Sequence, residues 1–354
     1  MQLGLICSGF QELAASELLA ASLQRCGARV TLLSPDPPKD RQLDWLPLPP
    51  LQAASSELLH HFDAVGVLLE GEAAAEVRQV HRQAASLRQR PAVSLFSGPI
   101  RPLCGDALSA DLLPRLGFEL LCLQGEAQQQ HLRWLLQGGA VVEQPSVAIG
   151  LWCLPTEPIG HSPSQEPLLV VLDQPQIPAS PFANGVLHER LSAMARDSPR
   201  WQIRLQADAP LPADPDHWPQ TSLCWHHRQA PQPPANLQIG APADLIWALS
   251  QASACIGIGS DWLLPSIIWG KPTVVLADYG IRTDFNGPLF FGSGLMHRLS
   301  DCLPLERLLT LPGPNAAWLD SLGWAIADGP QRLLRQLQAL CPAGDCPGSG
   351  GPRP

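Results

Sequence analysis

Three small polar residues, Gly259-Ser260-Asp261, follow a short apolar run at 253–258. Between a strand and a helix, such a turn offers an anion backbone N–H groups and the positive end of a helix dipole. Asp261 suits the N-cap position, because its carboxylate can accept from N–H groups two or three residues on. The rest of 253–281 fits this placement: an apolar stretch, then Gly270-Lys271-Pro272, a second apolar run and a polar loop. Glycine suits the left-handed helix C-cap and proline forbids continuation. The segment therefore predicts strand, turn, helix, turn, strand: one βαβ unit whose first turn is ready for phosphates. Ser260 lies in GIGSDW, without the GxSxG elbow of hydrolases, so a serine nucleophile is not expected.

The elements that must position this turn are legible along the chain. Residues 2–7, 28–33, 64–69, 92–96 and 118–123 read as strands, with helices at 11–26, 52–61, 73–89 and 126–137 between them. Residues 35–50 read as a loop. The alternation predicts an open parallel sheet with helices on both faces, whose ligands sit beyond the carboxyl ends of the strands. The first loop has a single glycine and no GxGxxG, so a dinucleotide fingerprint is absent. Residues 154–167 are proline-rich and read as a linker. The pattern then restarts with strands at 168–172, 201–206 and 221–226 and helices at 184–197 and 242–251, leading into 253–281. Helices near 304–310, 315–327 and 329–340 follow. The expected fold class is thus α/β, two tandem Rossmann-like doubly wound domains with an interdomain cleft. Their bounds are 1–153 and 168–340, with a disordered tail at 341–354.

Composition excludes several classes. The 354-residue chain carries a net charge of −9 with a pI near 5.5 and no basic stripe, which argues against a nucleic-acid partner. Its ten cysteines are scattered without a CxxC pair and read as buried hydrophobes of a reducing compartment. The adjacent pairs His60-His61 and His226-His227 point apart on any regular element and make poor joint metal ligands, so no metal and no cofactor are expected. The tryptophans, Trp201, Trp225, Trp247, Trp262 and Trp269 among them, read mostly as core. MQLGLICSGF reads as a first strand and not a signal peptide, and no apolar run is long enough to span a bilayer. The expectation is a cytoplasmic protein, with room for peripheral contact at the inner membrane.

The segment 253–276 resembles the C-terminal donor-binding motif of GT-B glycosyltransferases and of their sugar-nucleotide epimerase relatives. Gly259, Ser260 and Asp261 match its small hydroxyl or glycine turn, and Gly270-Lys271-Pro272 matches its Gly-x-Pro. Asp278-Tyr279-Gly280-Ile281, Asn286 and the run 289–295 (LFFGSGL) resemble an uncharacterised bacterial family of glycosyltransferase-like proteins. Gln174, Gln176 and Pro178 resemble that family's Gln-x-Lys-x-Pro loop, with Gln176 where lysine is usual, and Arg204 falls where it carries a basic residue. The detailed match covers roughly 168–300. The resemblance implies that Gln174, Gln176, Arg204, Gly259, Ser260, Asp261, Lys271, Asp278, Gly280, Asn286, Ser293 and Gly294 surround a nucleotide-sugar. Basic groups must offset the charge of the leaving diphosphate, and Arg204, Lys271, Arg282 and Arg101 are the candidates.

Two positions depart from the motif. Pro265 stands where the family's ribose-binding glutamate belongs, and Gly257 stands where the retaining branch has its second acid. The absence of both argues against the retaining branch and leaves an inverting transferase, whose general base would be an Asp, Glu or His of the N-terminal half, or a protein that has lost catalysis. Protein dipoles and basic residues would stabilise the leaving group without a metal. Glu70 and Asp261 are the chosen catalytic candidates, with Glu72, Asp106 and Glu126 also in suitable loops. Asp261 has three possible roles: helix cap, ribose contact or base. The expected activity is transfer of a sugar from a nucleotide-sugar donor to a cell-surface polysaccharide or glycolipid acceptor. The alternatives are a catalytically inactive nucleotide-sugar-binding scaffold and, less favoured, a sugar-nucleotide epimerase.

Overall fold

The computed structural model describes residues 1–138, 143–160, 166–175, 177–209, 211–241, 245–280, 282–283 and 286–341. The expected tail at 341–354 therefore lies, apart from Cys341, outside the described residues. The chain divides into two compact units. One is Met1–Leu154 together with Leu319–Pro354, and the other is Pro155–Trp318.

The first unit opens with β1 (Gln2–Ile6), α1 (Phe10–Arg25), β2 (Arg29–Leu33), β3 (Asp44–Leu46) and α2 (Pro50–Ser55). It continues with β4 (Ala64–Val67), α3 (Gly71–Leu87), β5 (Ser94–Ser97), α4 (Gly105–Arg115), β6 (Leu120–Leu123), α5 (Glu126–Gln137) and β7 (Ser146–Ala148). The seven strands order as β3-β2-β1-β4-β5-β6-β7 with parallel pairing. Parallel strands covered on both faces read as continuous apolar runs, which is why β1 and β4 were legible. The strand β3 lies in the stretch expected as loop; its three residues are too short to carry an alternation.

The second unit holds β8 (Leu168–Asp173), α6 (Pro181–Asp197), β9 (Gln202–Ala207), α7 (Leu223–Gln229), β10 (Leu237–Ile239) and α8 (Leu245–Gln251). After these come β11 (Ala254–Gly257), α9 (Leu263–Ile268), β12 (Thr273–Leu276) and β13 (Met296–His297). Its six strands order as β10-β9-β8-β11-β12-β13, again parallel. Its core gathers Leu169, Val171, Leu191, Trp201, Ile203, Ile256 and Val274 between this sheet and its helices. Both sheets are doubly wound, as the sequence predicts.

Two expectations need correction. Residues 221–226 form no strand. Ser222 caps α7 by accepting from Cys224 N and Trp225 N, and the Asp173 carboxylate, buried at the end of β8, accepts from Leu223 N and Cys224 N at 2.9 and 3.0 Å. Three backbone donors, Leu223 N, Cys224 N and Trp225 N, thus find acceptors when the segment turns helical. The second correction concerns the last helix, α11 (Gly329–Leu340), expected to close the second domain. It follows a short helix α10 (Ala316–Ser321) and packs within the first unit, against α1 and β7. Gly329 makes this possible. A Cβ there would stand 1.9 Å from the Ile149 carbonyl oxygen, so only glycine lets the helix start so close to the chain after β7.

Candidate functional site

In an open parallel sheet the ligand crevice lies beyond the carboxyl ends of the strands, where the winding reverses. In the second unit the reversal falls between β8 and β11. From β8 the chain winds outward through β9 to β10, and it returns to the other side at β11. The residues just past these strand ends are Gln174, Asp208 and the turn 258–261. Gln174, only 8% exposed, sends its side-chain carbonyl across the reversal to accept from Ile258 N at 3.1 Å and Gly259 N at 2.9 Å. Ser260 is buried, and its hydroxyl accepts from Trp262 N at 3.3 Å.

The helix that follows starts at Leu263, with Trp262 in the N-cap position and no side-chain cap. Asp261 therefore does not cap it as expected. Its carbonyl, not its carboxylate, accepts from Leu264 N at 3.0 Å. Pro265 is the third residue of this helix, where its missing N–H costs nothing because the first turn has no internal acceptor for it. Gly257 ends β11 with little room to spare. A Cβ there would meet Leu263 Cδ1 at 3.1 Å and Leu172 Cβ at 3.4 Å, so no carboxylate fits that slot without repacking.

Asp208, which the sequence did not single out, is the most perturbed acid of this crevice. Its backbone N–H donates to Asp173 O at 3.0 Å. Burial, opposed by a hydrogen bond from Ser260 and reinforced by the charges of Asp261 and Asp173, raises its carboxyl to about 7. A carboxyl that exchanges its proton near neutrality is the kind of group that acid–base chemistry uses. The sequence signal was weak: Asp208 opens a proline-rich loop and has no motif around it.

The remaining expected residues of this unit divide by position. Asp278 and Gly280 lie past the carboxyl end of β12. Asp278 Oδ2 accepts from Leu299 N at 2.8 Å, and its other oxygen faces Arg190 at 3.4 Å. Gly280 has φ +75°, which glycine tolerates. Arg204 sits within β9, its guanidinium carbon 5.5 Å from the Trp247 ring centroid, a cation–π contact. Lys271 is at the opposite, amino end of the sheet. Its Nζ donates to Ser250 O and Ala252 O at 2.8 and 2.6 Å, closing the end of α8. It is thus a helix-end cation and not a neighbour of Ser260. Ser293 and Gly294 lead into the amino end of β13, where the Ser293 hydroxyl accepts from Leu295 N at 3.1 Å. Asn286 takes a left-handed conformation before the turn Gly287–Phe290. Gln176 lies outside the described residues.

The first unit reverses its winding between β1 and β4. Past these strand ends stand Glu12, in the first turn of α1, and Glu70, exposed at the N-cap of α3. Arg101 follows β5. Burial raises the Glu12 carboxyl above its ordinary range; its own backbone N–H pulls it back, Glu70 adds to the rise and Arg101 opposes it. Below Glu70 the loop is fixed by a buried guanidinium. Arg115 donates to Asp111 at 2.8 and 3.0 Å and to Leu69 O at 2.6 Å, and Asp111 in turn accepts from Gly71 N at 3.0 Å. Glu126 pairs with Arg133 at 2.7 Å on an exposed helix face.

Residues 41–340 match the family described as "Putative glycosyltransferase (DUF6716)". The chain belongs to this family. No curated protein matches the chain. Among solved structures, this family member is similar to S. aureus MnaA in complex with UDP, with TM-score 0.62, 11% identity and 96% of each chain covered. It is also similar to the UDP-GlcNAc 2-epimerase of Methanocaldococcus jannaschii, with TM-score 0.60 and 12% identity over 96% of this chain and 100% of that one. A third likeness is Anabaena Alr3699/HepE in complex with UDP-glucose, with TM-score 0.53 and 13% identity over 96% and 98% of the two chains. At such identities these likenesses establish the fold. No helix among the described residues of this family member is long and apolar enough to cross a membrane.

Proposed function

We propose that this protein transfers a sugar from a nucleotide-sugar donor to a glycan or glycolipid acceptor, with inversion and without a metal. The observation that carries the reading is the grouping of Glu12, Glu70 and Arg101 at the winding reversal of the first sheet, in a chain of this family. Glu12 is half-buried and its proton affinity is raised by burial and by a second carboxylate. These are the conditions that make a carboxylate a general base near neutral pH. In the proposed reaction a carboxylate of this pair takes the proton of an acceptor hydroxyl. The oxygen attacks the anomeric carbon, the bond from that carbon to the donor phosphate breaks, and the nucleoside diphosphate leaves with the electron pair. The filled slot at Gly257 supports inversion, since it offers no carboxylate for the opposite stereochemistry. The donor would occupy the carboxyl edge of the second sheet, beside Gln174, Asp208, Ser260 and Asp261. Similar structures hold UDP or UDP-glucose, which favours a uridine diphosphate sugar.

One observation favours a second reading. Asp208 supplies an acid titrating near 7 in the other unit, and epimerisation needs more than one acid–base side chain. Incubation with UDP-glucose and UDP-GlcNAc, followed by proton NMR, separates the readings. Release of UDP that accelerates when a glycan acceptor is added is the expected result. A new sugar epimer without UDP release would establish the epimerase, and binding without turnover would establish a scaffold. Fractionation of cells would test the cytoplasmic, membrane-peripheral location that such an acceptor implies.

A further inference from the structure

We propose that the first unit carries a binding site beside its edge strand β3 for an organic ammonium on a compact apolar body, independent of the transfer reaction. A cavity of about 330 Å³ opens there between β2, β3 and the turn that follows α2. That volume is at the lower end of small-ligand pockets, about 300–1,000 Å³. Leu46, Leu58 and Phe62 form its apolar walls, and Leu58 remains 41% exposed at the rim.

The aromatic side chains are held before any ligand arrives. The Phe62 ring lies against β1, where a Cβ added to Gly4 would stand 3.0 Å from it. The Trp45 indole N–H donates to Ser34 O at 2.9 Å. Fixed rings lower the ordering cost of binding, and a cation beside them gains the attraction of their faces. The charge in the lining points the same way. The Asp44 carboxylate is exposed and enters no hydrogen bond or ion pair among the described residues, and no lysine or arginine lines the cavity. A phosphate or carboxylate would meet an uncompensated negative charge here, whereas an ammonium would find its counter-ion. His61 and Thr31 complete the lining.

The test is isothermal titration of the full chain with phenethylamine, and separately with 3-phenylpropionate. The expected result is saturable binding of the amine, weakened by about tenfold in Asp44→Asn and in Leu58→Arg, and no binding of the anion. Both substituted residues are exposed, so melting temperatures should match the wild type and certify the fold. Equal binding of amine and carboxylate, unchanged affinity in Asp44→Asn, or no saturable binding of the amine would each overturn the proposal. None of these outcomes touches the proposed transfer, which is read from the nucleotide-sugar assay.

Discussion

Gln174 and Gly259 are joined at 2.9 Å across the winding reversal of the second sheet, and the same side-chain oxygen also takes the N–H of Ile258. Two N–H groups that the turn would offer to an anion are therefore spent inside the protein. Gln174 acts as a brace that sets the height of the turn, leaving the buried Ser260 and the half-buried Asp261 as its next residues toward the crevice.

Removing the brace should be costly. Gln174→Ala leaves two buried N–H groups without an acceptor, at about 1–3 kcal/mol each. We expect about 2–6 kcal/mol of lost stability in urea denaturation, together with weaker UDP binding by calorimetry. Unchanged binding in a folded Gln174→Ala protein would show that the turn does not position the nucleotide.

Asp208 makes stability depend on pH. In the folded chain its carboxyl keeps the proton up to about 7, against an ordinary value of 3.8. A raised carboxyl contributes fully below 3.8, and that contribution is lost as pH rises through about 7. Asp208→Asn should flatten the urea midpoint across this window and exceed the wild type in stability above it. UDP binding by the wild type should weaken as pH rises through about 7, because the ionised carboxylate joins Asp173 and Asp261 in repelling a diphosphate. A wild-type midpoint that does not change with pH would count against this burial.

Glu12 should matter to rate more than to donor affinity. Under the transfer reading, Glu12→Gln lowers kcat by about 10²–10⁴-fold, the usual worth of general base catalysis. The Kd for the nucleotide-sugar should not move. Glu70→Gln should have the smaller effect on rate, since Glu70 is exposed, but it should shift the pH profile of Glu12 downward by removing a like charge. Loss of donor affinity in Glu12→Gln would reassign this residue to binding.

A cluster of three imidazoles should weaken the second unit in acid. His188 Nε2 lies 3.3 Å from His227 Nδ1, and its ring stacks with His226 at 6.4 Å between α6 and α7. Burial first, then His227, His226 and Arg196, lower His188 from 6.5 to about 4. The unfolded chain takes up this proton first, so stability is full above 6.5 and falls until about 4. Such a difference corresponds to on the order of 3 kcal/mol. His188→Gln should reduce the slope of thermal stability against pH in that interval, and an unchanged slope would exclude His188 as its source.

What was legible in the sequence follows from period and punctuation. Buried parallel strands are continuous apolar runs, and Gly270-Lys271-Pro272 ends a helix by local chemistry alone, so the two doubly wound sheets could be read. Side-chain commitments could not. Lys271 is rare in composition and adjacent to the motif, yet the strand between it and the crevice carries it to the far end of the sheet. Ser222 reads as part of a strand because the acceptor that turns its segment helical, Asp173, is 49 residues away. Glu12 and Asp208 owe their perturbation to burial and to neighbours brought in by the fold, which one-dimensional spacing does not encode.

The Gly329–Ile149 contact has a consequence for biosynthesis. The ribosome releases residues 1–154 long before α11 exists, and domains usually fold in the order they emerge. Here the earlier unit must wait, open against α1 and β7, while the later one is made and can finish first. A nascent chain arrested before Gly329 would hold a completed second unit and an uncapped first one. Its vulnerability to protease should lie in the half that was translated first.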